Sequence, residues 1–201
     1  FLAVVTFFKN DLLNFISNRK LFLKIILASI PTMVVGFVLV KYDLISQLRD
    51  PQVIGWTTLV FGILLFISDK SKTTNVIKND LSYKSALYIG IFQILSLIPG
   101  VSRSGITISA SRFLKFKRVE SAKISFLLSI PTLAAVTFFT IITLYKSNDL
   151  NFSFLNLFAI LLSFIVSYIT IKYFLKYVNN FNLNIFVVYR IAIGATILYF
   201  V

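Results

Sequence analysis

The side chains best suited to chemistry lie together in one short stretch, LIPGVSRSGITISASRF, at residues 97–113. Its central residue is Arg103, which stands between two serines in an otherwise apolar part of the chain. A charged side chain at the centre of a membrane helix costs about 2.5–3.5 kcal/mol, so an arginine there needs an anionic partner or a wet cavity. The nearest acidic residue, Glu120, lies beyond a basic segment. We therefore predict that Arg103 binds an anionic ligand.

The backbone around the arginine favours the same kind of ligand. A helix over residues 104–114 would present unpaired N–H groups at its N-terminus, which is the positive end of the helix dipole. Gly100 and Gly105 would allow a ligand to approach the main chain closely, and either Ser102 or Ser104 is placed to cap the helix. A helix N-terminus of this kind is typical of phosphate sites.

Hydroxyl groups continue along this predicted helix. Ser104, Thr107 and Ser111 are spaced at i, i+3 and i+7, which places their hydroxyls on one face. Together with the fork of donors on the arginine, they predict a phosphate or diphosphate site. Serine and glycine also let membrane helices pack closely, so helix packing alone is the alternative interpretation.

Two other polar residues interrupt apolar sequence. Gln93 lies two turns before the Pro99–Gly100 pair, and it either faces the anion site or makes a hydrogen bond between helices. Arg190 lies near the middle of the last apolar run, and it is either a second functional charge or a structural anchor. The sequence leaves both pairs of alternatives open.

The elements that position these residues are predicted to be membrane helices. The 201-residue chain is 58% hydrophobic and 13% charged, with a mean hydropathy of +0.90, which indicates an all-α polytopic membrane protein. It has no histidine and no cysteine, which removes the commonest general base and metal ligand and excludes disulfides. The net charge is +13, but the cations gather between apolar runs. This pattern favours contact with anionic lipid headgroups over nucleic acid.

We expect residues 1–201 to form a single integral membrane domain with about six transmembrane helices, the first one partial. The predicted spans are residues 1–8 (the partial one), 21–40, 53–68, 124–145, 152–173 and 182–201. The tetrapeptide SIPT occurs at 29–32 and again at 129–132, where we interpret it as a proline kink beside small residues.

The remaining apolar run, residues 86–114, is broken by a proline and a glycine, and we predict two shorter helices, about 86–98 and 104–114. The loops at 9–20 and 69–84 and the segment 112–123 carry net positive charge, whereas those at 41–52 and 146–151 are neutral. Positive loops belong on the cytoplasmic side, so the alternation holds only if 86–114 returns to the side it enters from. The run is therefore predicted to be a re-entrant helical hairpin whose turn is reached from the outer side.

The segment PGVSRSGIT, residues 99–107, resembles the PGxSRSxxT signature of the bacterial undecaprenyl-diphosphatase family (the bacitracin-resistance type), and every fixed position matches. The flanking segments IGIFQILSLIPG and ISFLLSIPTLAA are similar to the family, as are LKIILASIPTMVVGFVL upstream and FVVYRIAIG near the end. The similarity therefore covers essentially the whole chain.

The resemblance implies a hydrolase that removes the terminal phosphate of undecaprenyl diphosphate, which recycles the lipid carrier of peptidoglycan biosynthesis. It implies an inverted-repeat fold in the bacterial cytoplasmic membrane, with the active site open to the outer (periplasmic) side. By matching position, Arg103 would hold the diphosphate, and Ser102, Ser104 and Thr107 would be its hydroxyl partners, one of them a nucleophile or proton relay. Gln93 falls at the family's glutamine position before the signature.

The family's first signature, which is glutamate-rich and ends in a histidine, is not found in this sequence. The resemblance implies that this signature supplies acid–base groups and the ligands of a divalent cation, Mg or Ca. We therefore expect the sequence to be an N-terminally truncated fragment that has no metal ligands of its own and is inactive alone. Whether it forms a homodimer is left open.

A transporter or flippase for a prenyl-phosphate-like lipid anion is the alternative function, because broken helices in inverted repeats are typical of transporters. A phosphatidic-acid-type phosphatase is disfavoured, because that class depends on histidines.

Overall fold

The computed structural model describes residues 1–12, 19–44, 48–146 and 154–201, and the regular elements in these ranges are helical. A 3-10 turn is also present, at Leu95–Leu97. The α-helices in chain order are α1 (Leu2–Phe7), α2 (Arg19–Lys41), α3 (Pro51–Asp69), α4 (Ile77–Asp80), α5 (Tyr83–Ile94), α6 (Arg103–Phe113), α7 (Arg118–Lys146), α8 (Phe154–Asn180) and α9 (Asn184–Phe200).

Four of these helices, α2, α3, α7 and α8, are long and apolar enough to cross a bilayer. The predicted span at 182–201 forms α9, which is apolar but has 17 residues, slightly fewer than the ~20 that a span needs. The predicted stub at 1–8 forms the six-residue α1. The first two residues of the predicted span 152–173 lie outside the described ranges, and the rest lies in α8. The all-α polytopic fold is confirmed.

The long helices have apolar outer surfaces. In the 27-residue α8 the buried residues are Ile171 and Val178, while large side chains such as Phe158, Leu161 and Ile165 are exposed. A continuous apolar surface of this size would drive association in water, whereas in a bilayer it contacts lipid chains. The chain is therefore a multi-pass membrane protein.

The proline-interrupted run folds into a helical hairpin, with α5 and α6 packed against each other. α5 ends at Ile94, four residues earlier than predicted, and the 3-10 turn follows. Ile98 is extended, as residues before a proline usually are, and Pro99 has no N–H with which to continue a helix. The second helix begins at Arg103, within one residue of its predicted start.

α3 shows how far the hairpin extends along the bundle. The turn of the hairpin contacts Thr57 of α3, and Arg112 near the other end of α6 pairs with Asp69, the last residue of α3. Because α3 begins at Pro51 and rises about 1.5 Å per residue, Thr57 lies about 9 Å inside that helix. The hairpin therefore turns back within the bundle, well short of the end at which α3 begins.

Three other helices pack around the hairpin and α3. α2 packs on α5, α7 packs on α6, and α9 packs along α3. The contact between α2 and α5 is close, because a Cβ at Gly90 would overlap the carbonyl of Ala28. These contacts hold both arms of the hairpin between long helices.

Candidate active site

The candidate site is the turn of the hairpin, residues 98–105, which leads into α6. Ser102 is the N-cap residue, and its Oγ accepts a hydrogen bond from the Gly105 N–H at 3.3 Å. Its φ of 65° is uncommon for a residue with a side chain, and such strain is frequent where a turn must hold a ligand. Ser104 Oγ lies 3.5 Å from Ser102 Oγ, and both side chains are exposed. Two hydroxyls therefore stand at the positive end of α6.

Arg103 is the first residue of α6, and it is half-buried. Its Nη1 donates a long hydrogen bond of 3.4 Å to Thr132 Oγ1 on α7. A guanidinium has five N–H donors, so this single contact leaves most of them available. Among the described residues, the ion pairs all involve Asp69, and none involves Arg103. No carboxylate in the described ranges therefore pairs with Arg103, which leaves the arginine available for an anionic ligand, as predicted.

The turn rests directly on α3. Thr57 Oγ1 lies 2.7 Å from the Pro99 carbonyl oxygen, and Thr58 Oγ1 lies 3.3 Å from that of Gly100. Gly100 has a φ of 89°, and a Cβ at this position would overlap Thr57 Oγ1, so only glycine fits here. Thr57 and Thr58 were not among the residues predicted from the sequence. Two adjacent hydroxyls inside an apolar span were the signal that could have indicated them.

Arg190 of α9 reaches the same turn. Its Nη2 donates to the Gly100 carbonyl at 2.8 Å and lies 3.4 Å from the Thr58 carbonyl. Its Nη1 would lie 3.5 Å from a Cβ built at Gly105. Arg190 is therefore a structural anchor of the turn, and it also brings a second positive charge beside the start of α6.

Thr107 lies behind the turn and not on its exposed surface. Its Oγ1 is buried, 2.9 Å from the Arg103 carbonyl and 2.8 Å from Ser125 Oγ on α7. Ser111 is also buried and donates to the Thr107 carbonyl at 2.8 Å. The predicted common face is thus divided, with Ser104 exposed and the other two hydroxyls turned into the bundle.

Gln93 lies in the last turn of α5 and is fully buried. Its two side-chain polar atoms make no hydrogen bond to any residue in the described ranges. Gln93 is therefore not hydrogen-bonded to the hydroxyls of Ser102 and Ser104.

The turn is a set of donors and positive charges. Two guanidiniums, two exposed hydroxyls and the free N–H groups of α6 suit an anion with several oxygens, such as a phosphate or diphosphate. They do not suit a divalent cation, which prefers carboxylate and carbonyl oxygens. In the part of the chain that the structure describes, no group of three His, Cys, Asp or Glu residues could hold a metal ion.

These features define a class, namely a multi-pass helical membrane protein with an anion site at the turn of a broken helical hairpin. The family model described as bacitracin resistance protein BacA matches residues 1–196. The chain belongs to this family, as its PGxSRSxxT segment led us to expect.

Curated relatives agree with this membership. The chain is similar to an undecaprenyl-diphosphatase of Pelagibacter ubique (strain HTCC1062), with 47% identity over 195 residues, which cover 96% of this chain and 75% of the relative. It is also similar to an undecaprenyl-diphosphatase of Alteromonas mediterranea, with 37% identity over 92% of this chain and 69% of that relative. A third undecaprenyl-diphosphatase, from Aliivibrio salmonicida, is 37% identical over 98% of this chain and 78% of its own length.

Proposed function

We propose that this chain is an undecaprenyl-diphosphatase, a phosphoanhydride hydrolase that releases the terminal phosphate of undecaprenyl diphosphate. The product, undecaprenyl phosphate, is then available again as the lipid carrier of cell-wall biosynthesis. The observation that carries the proposal is the exposed start of α6, where Arg103 stands between Ser102 and Ser104. The activity in the names of three relatives supports it.

The geometry of the turn suits the chemistry of the reaction. When a phosphoanhydride is hydrolysed, negative charge spreads over the oxygens of the transferred phosphoryl group. Donors that are already oriented toward those oxygens stabilise the transition state most effectively. Arg103 supplies such donors, and the free N–H groups at the start of α6 supply more. Ser102 and Ser104 contribute hydroxyls that bind phosphate oxygens or take part in proton transfer.

The acid–base groups and a divalent cation, Mg or Ca, are a further part of the proposal. We infer that both depend on the glutamate- and histidine-containing first signature of the family. The turn presents hydrogen-bond donors and positive charges, so the roles of its residues in phosphate binding do not depend on a metal. Adding a chelator to the active protein tests the need for a cation. We expect phosphate release to stop and to return with Mg or Ca.

We also propose an orientation in the bacterial cytoplasmic membrane, with the turn open to the outer side. The support is that basic residues concentrate at the end of the bundle opposite the turn. Because the chain has no cysteine, single cysteines can report the side. We expect Lys72→Cys to react with an impermeant maleimide only after the cells are permeabilised, and Tyr42→Cys to react from outside. A homodimer stays a prediction, which cross-linking in the membrane can test.

The function is tested by phosphate release from undecaprenyl diphosphate in the intact protein. Arg103→Ala removes at least two charge-assisted hydrogen bonds of about 1.5–3 kcal/mol each, so we expect kcat/KM to fall by at least about 100-fold. The matched control is Arg19→Ala, an exposed arginine at the start of α2 and far along the chain from the turn. We expect it to retain the wild-type rate within about twofold.

Two results would contradict the proposal. Full activity of Arg103→Ala would mean that the turn does not bind the diphosphate. Movement of a prenyl phosphate across vesicles by the wild-type protein, without any phosphate release, would favour the transporter or flippase alternative.

A further inference from the structure

A cavity of about 690 Å³ lies at the other end of α6 from the turn. It is enclosed by the ends of α3, α6 and α8 and by the starts of α7 and α9, and we call it the basic-end cavity. Since α6 has 11 residues, roughly 16 Å of helix separate this cavity from the turn. Its charged lining residues are Asp69, Lys70, Lys72, Arg112, Lys117, Arg118 and Glu120.

The two carboxylates of the cavity are engaged within the protein. Asp69 is buried and accepts hydrogen bonds from Arg118 Nε at 2.8 Å and Nη2 at 3.0 Å, and from the Leu183 N–H at 3.1 Å. It also pairs with the buried Arg112 at 3.2 Å. Glu120 Oε2 accepts a hydrogen bond from the Ile77 N–H at 3.0 Å. The acids therefore hold helix ends together, and Asp69 in particular is fully engaged by protein donors.

The cations of the cavity exceed what these acids neutralise. Arg118 is held by Asp69 through Nε and Nη2, while its Nη1 has no partner among the described residues, and 36% of its side chain is exposed. Lys72 and Lys117 are exposed, and no carboxylate in the described ranges pairs with them. One oriented guanidinium and two unpaired ammonium groups thus line the same cavity, and this combination is suited to an anion with several oxygens.

Aromatic residues place the cavity at the level of the membrane surface. Around the turn between α8 and α9, Tyr177 of α8 stacks on Phe181 with ring centroids 5.1 Å apart, and it meets Phe186 of α9 edge-on at 5.7 Å. Tyrosine is enriched at the membrane–water boundary, where its ring lies at the level of the headgroups. The same turn borders a second, mostly apolar depression of about 610 Å³, which also includes Tyr173 and Phe174. A charged cavity and an apolar depression thus lie on the same turn.

We propose that the basic-end cavity binds the phosphate-bearing headgroup of an anionic membrane phospholipid. Arg118, Lys72 and Lys117 contact the phosphate oxygens, and the apolar depression at the α8–α9 turn contacts an acyl chain. The amides of Asn179 and Asn182, which also line the cavity, bind the hydroxyls of the headgroup. This site is separate from the turn, and its ligand is not the substrate of the proposed function.

The test counts bound lipids by native mass spectrometry of the intact protein in detergent. Phosphatidylglycerol is compared with phosphatidylcholine of the same acyl chains, and we expect the wild-type protein to retain phosphatidylglycerol preferentially. The double variant Lys72→Ala/Lys117→Ala leaves the Asp69 ion pairs intact. We expect it to bind phosphatidylglycerol about 25-fold more weakly, or about fivefold per lysine. The matched control, Lys41→Ala/Lys146→Ala, removes two exposed cations at the other ends of long helices and should bind like the wild type.

Two outcomes would overturn the proposal. Equal retention of phosphatidylglycerol by the wild-type protein and the double variant would show that the cavity does not select the lipid. Displacement of the lipid by millimolar inorganic phosphate would show that the ligand is a soluble anion. Lipid counting needs no turnover, so a failure of the proposed hydrolase function would leave these results unchanged.

Discussion

Arg190 offers the sharpest test of how the turn is held, because its contacts are with backbone and not with a carboxylate. Its Nη2 donates to the Gly100 carbonyl at 2.8 Å. Gly100 lies three residues before Arg103, so the position of its carbonyl also affects where the side chain of Arg103 is placed. Arg190→Ala removes the bond and the second positive charge together. We expect weaker transition-state binding, because the carbonyls of Pro99 and Gly100 then keep only their hydrogen bonds from the hydroxyls of Thr57 and Thr58 among the described residues.

The magnitude follows from the number and type of bonds lost. A hydrogen bond to a charged group contributes about 1.5–3 kcal/mol, which corresponds to roughly 10- to 150-fold in kcat/KM. The 3.4 Å contact with the Thr58 carbonyl is too long to add much. Arg190→Lys keeps the charge but loses the planar fork, so its activity should lie between those of the wild type and Arg190→Ala.

The assay combines phosphate release with hydrogen exchange at the amides of residues 100–105. We expect Arg190→Ala to lower kcat/KM and to speed exchange at the turn, while exchange in α7 stays as in the wild type. Thr196→Ala, an exposed position on the same helix, is the control and should change neither measurement. A kcat/KM within twofold of the wild type, with unchanged exchange at the turn, would refute the positioning role of Arg190.

Three further substitutions test other parts of the structure. Gly100→Ala forces a Cβ against Thr57 at a positive φ, so we expect at least a 10-fold loss of phosphate release, whereas Gly36→Ala, where space is available, should be nearly neutral. Thr107→Val leaves its buried hydroxyl partner on α7 unpaired and should lower the free energy of unfolding by about 1–3 kcal/mol in a denaturant titration; a change confined to KM would instead indicate substrate contact. Asp69→Asn removes the charge opposite two arginines and should cost about 3–5 kcal/mol of stability, whereas the exposed Asp11→Asn should cost little.

Much of the fold was predictable because membrane helices follow simple rules. Apolar runs of about 20 residues predicted α2 and α3 to within two residues at each end, and the proline–glycine pair predicted the break between α5 and α6. The end of α7 was also predicted closely, but the helix begins at Arg118, six residues before its predicted start, because its first turns are polar. The end of α5 was predicted four residues too late. Hydrophobicity does not show where a helix tightens into a 3-10 turn, because Leu95–Leu97 is as apolar as the helix before it.

The site was predictable only where its contacts are local. Arg103 and the capping serine follow from the spacing around the start of α6, and the structure has both there. The role of Arg190 was left open, because its partner Gly100 is 90 residues away and is reached only through the packing of α9 on α3. The face of α6 that carries Thr107 was also not predictable, since residue spacing fixes relative angles and not the rotation of the helix against its neighbours.

The repeated SIPT segment shows how a weak sequence signal can have a structural meaning that spacing alone does not give. Each copy lies inside a long helix, with Pro31 in α2 and Pro131 in α7, and both helices continue through the proline. The threonine after each proline contacts one arm of the hairpin: Thr32 Oγ1 donates to the Gly90 carbonyl of α5 at 3.4 Å, and Thr132 Oγ1 accepts from Arg103 of α6 at 3.4 Å. The two segments therefore contact different arms of the hairpin. Because the second contact is to Arg103 itself, the SIPT segment of α7 also limits the positions from which that arginine can bind an anion.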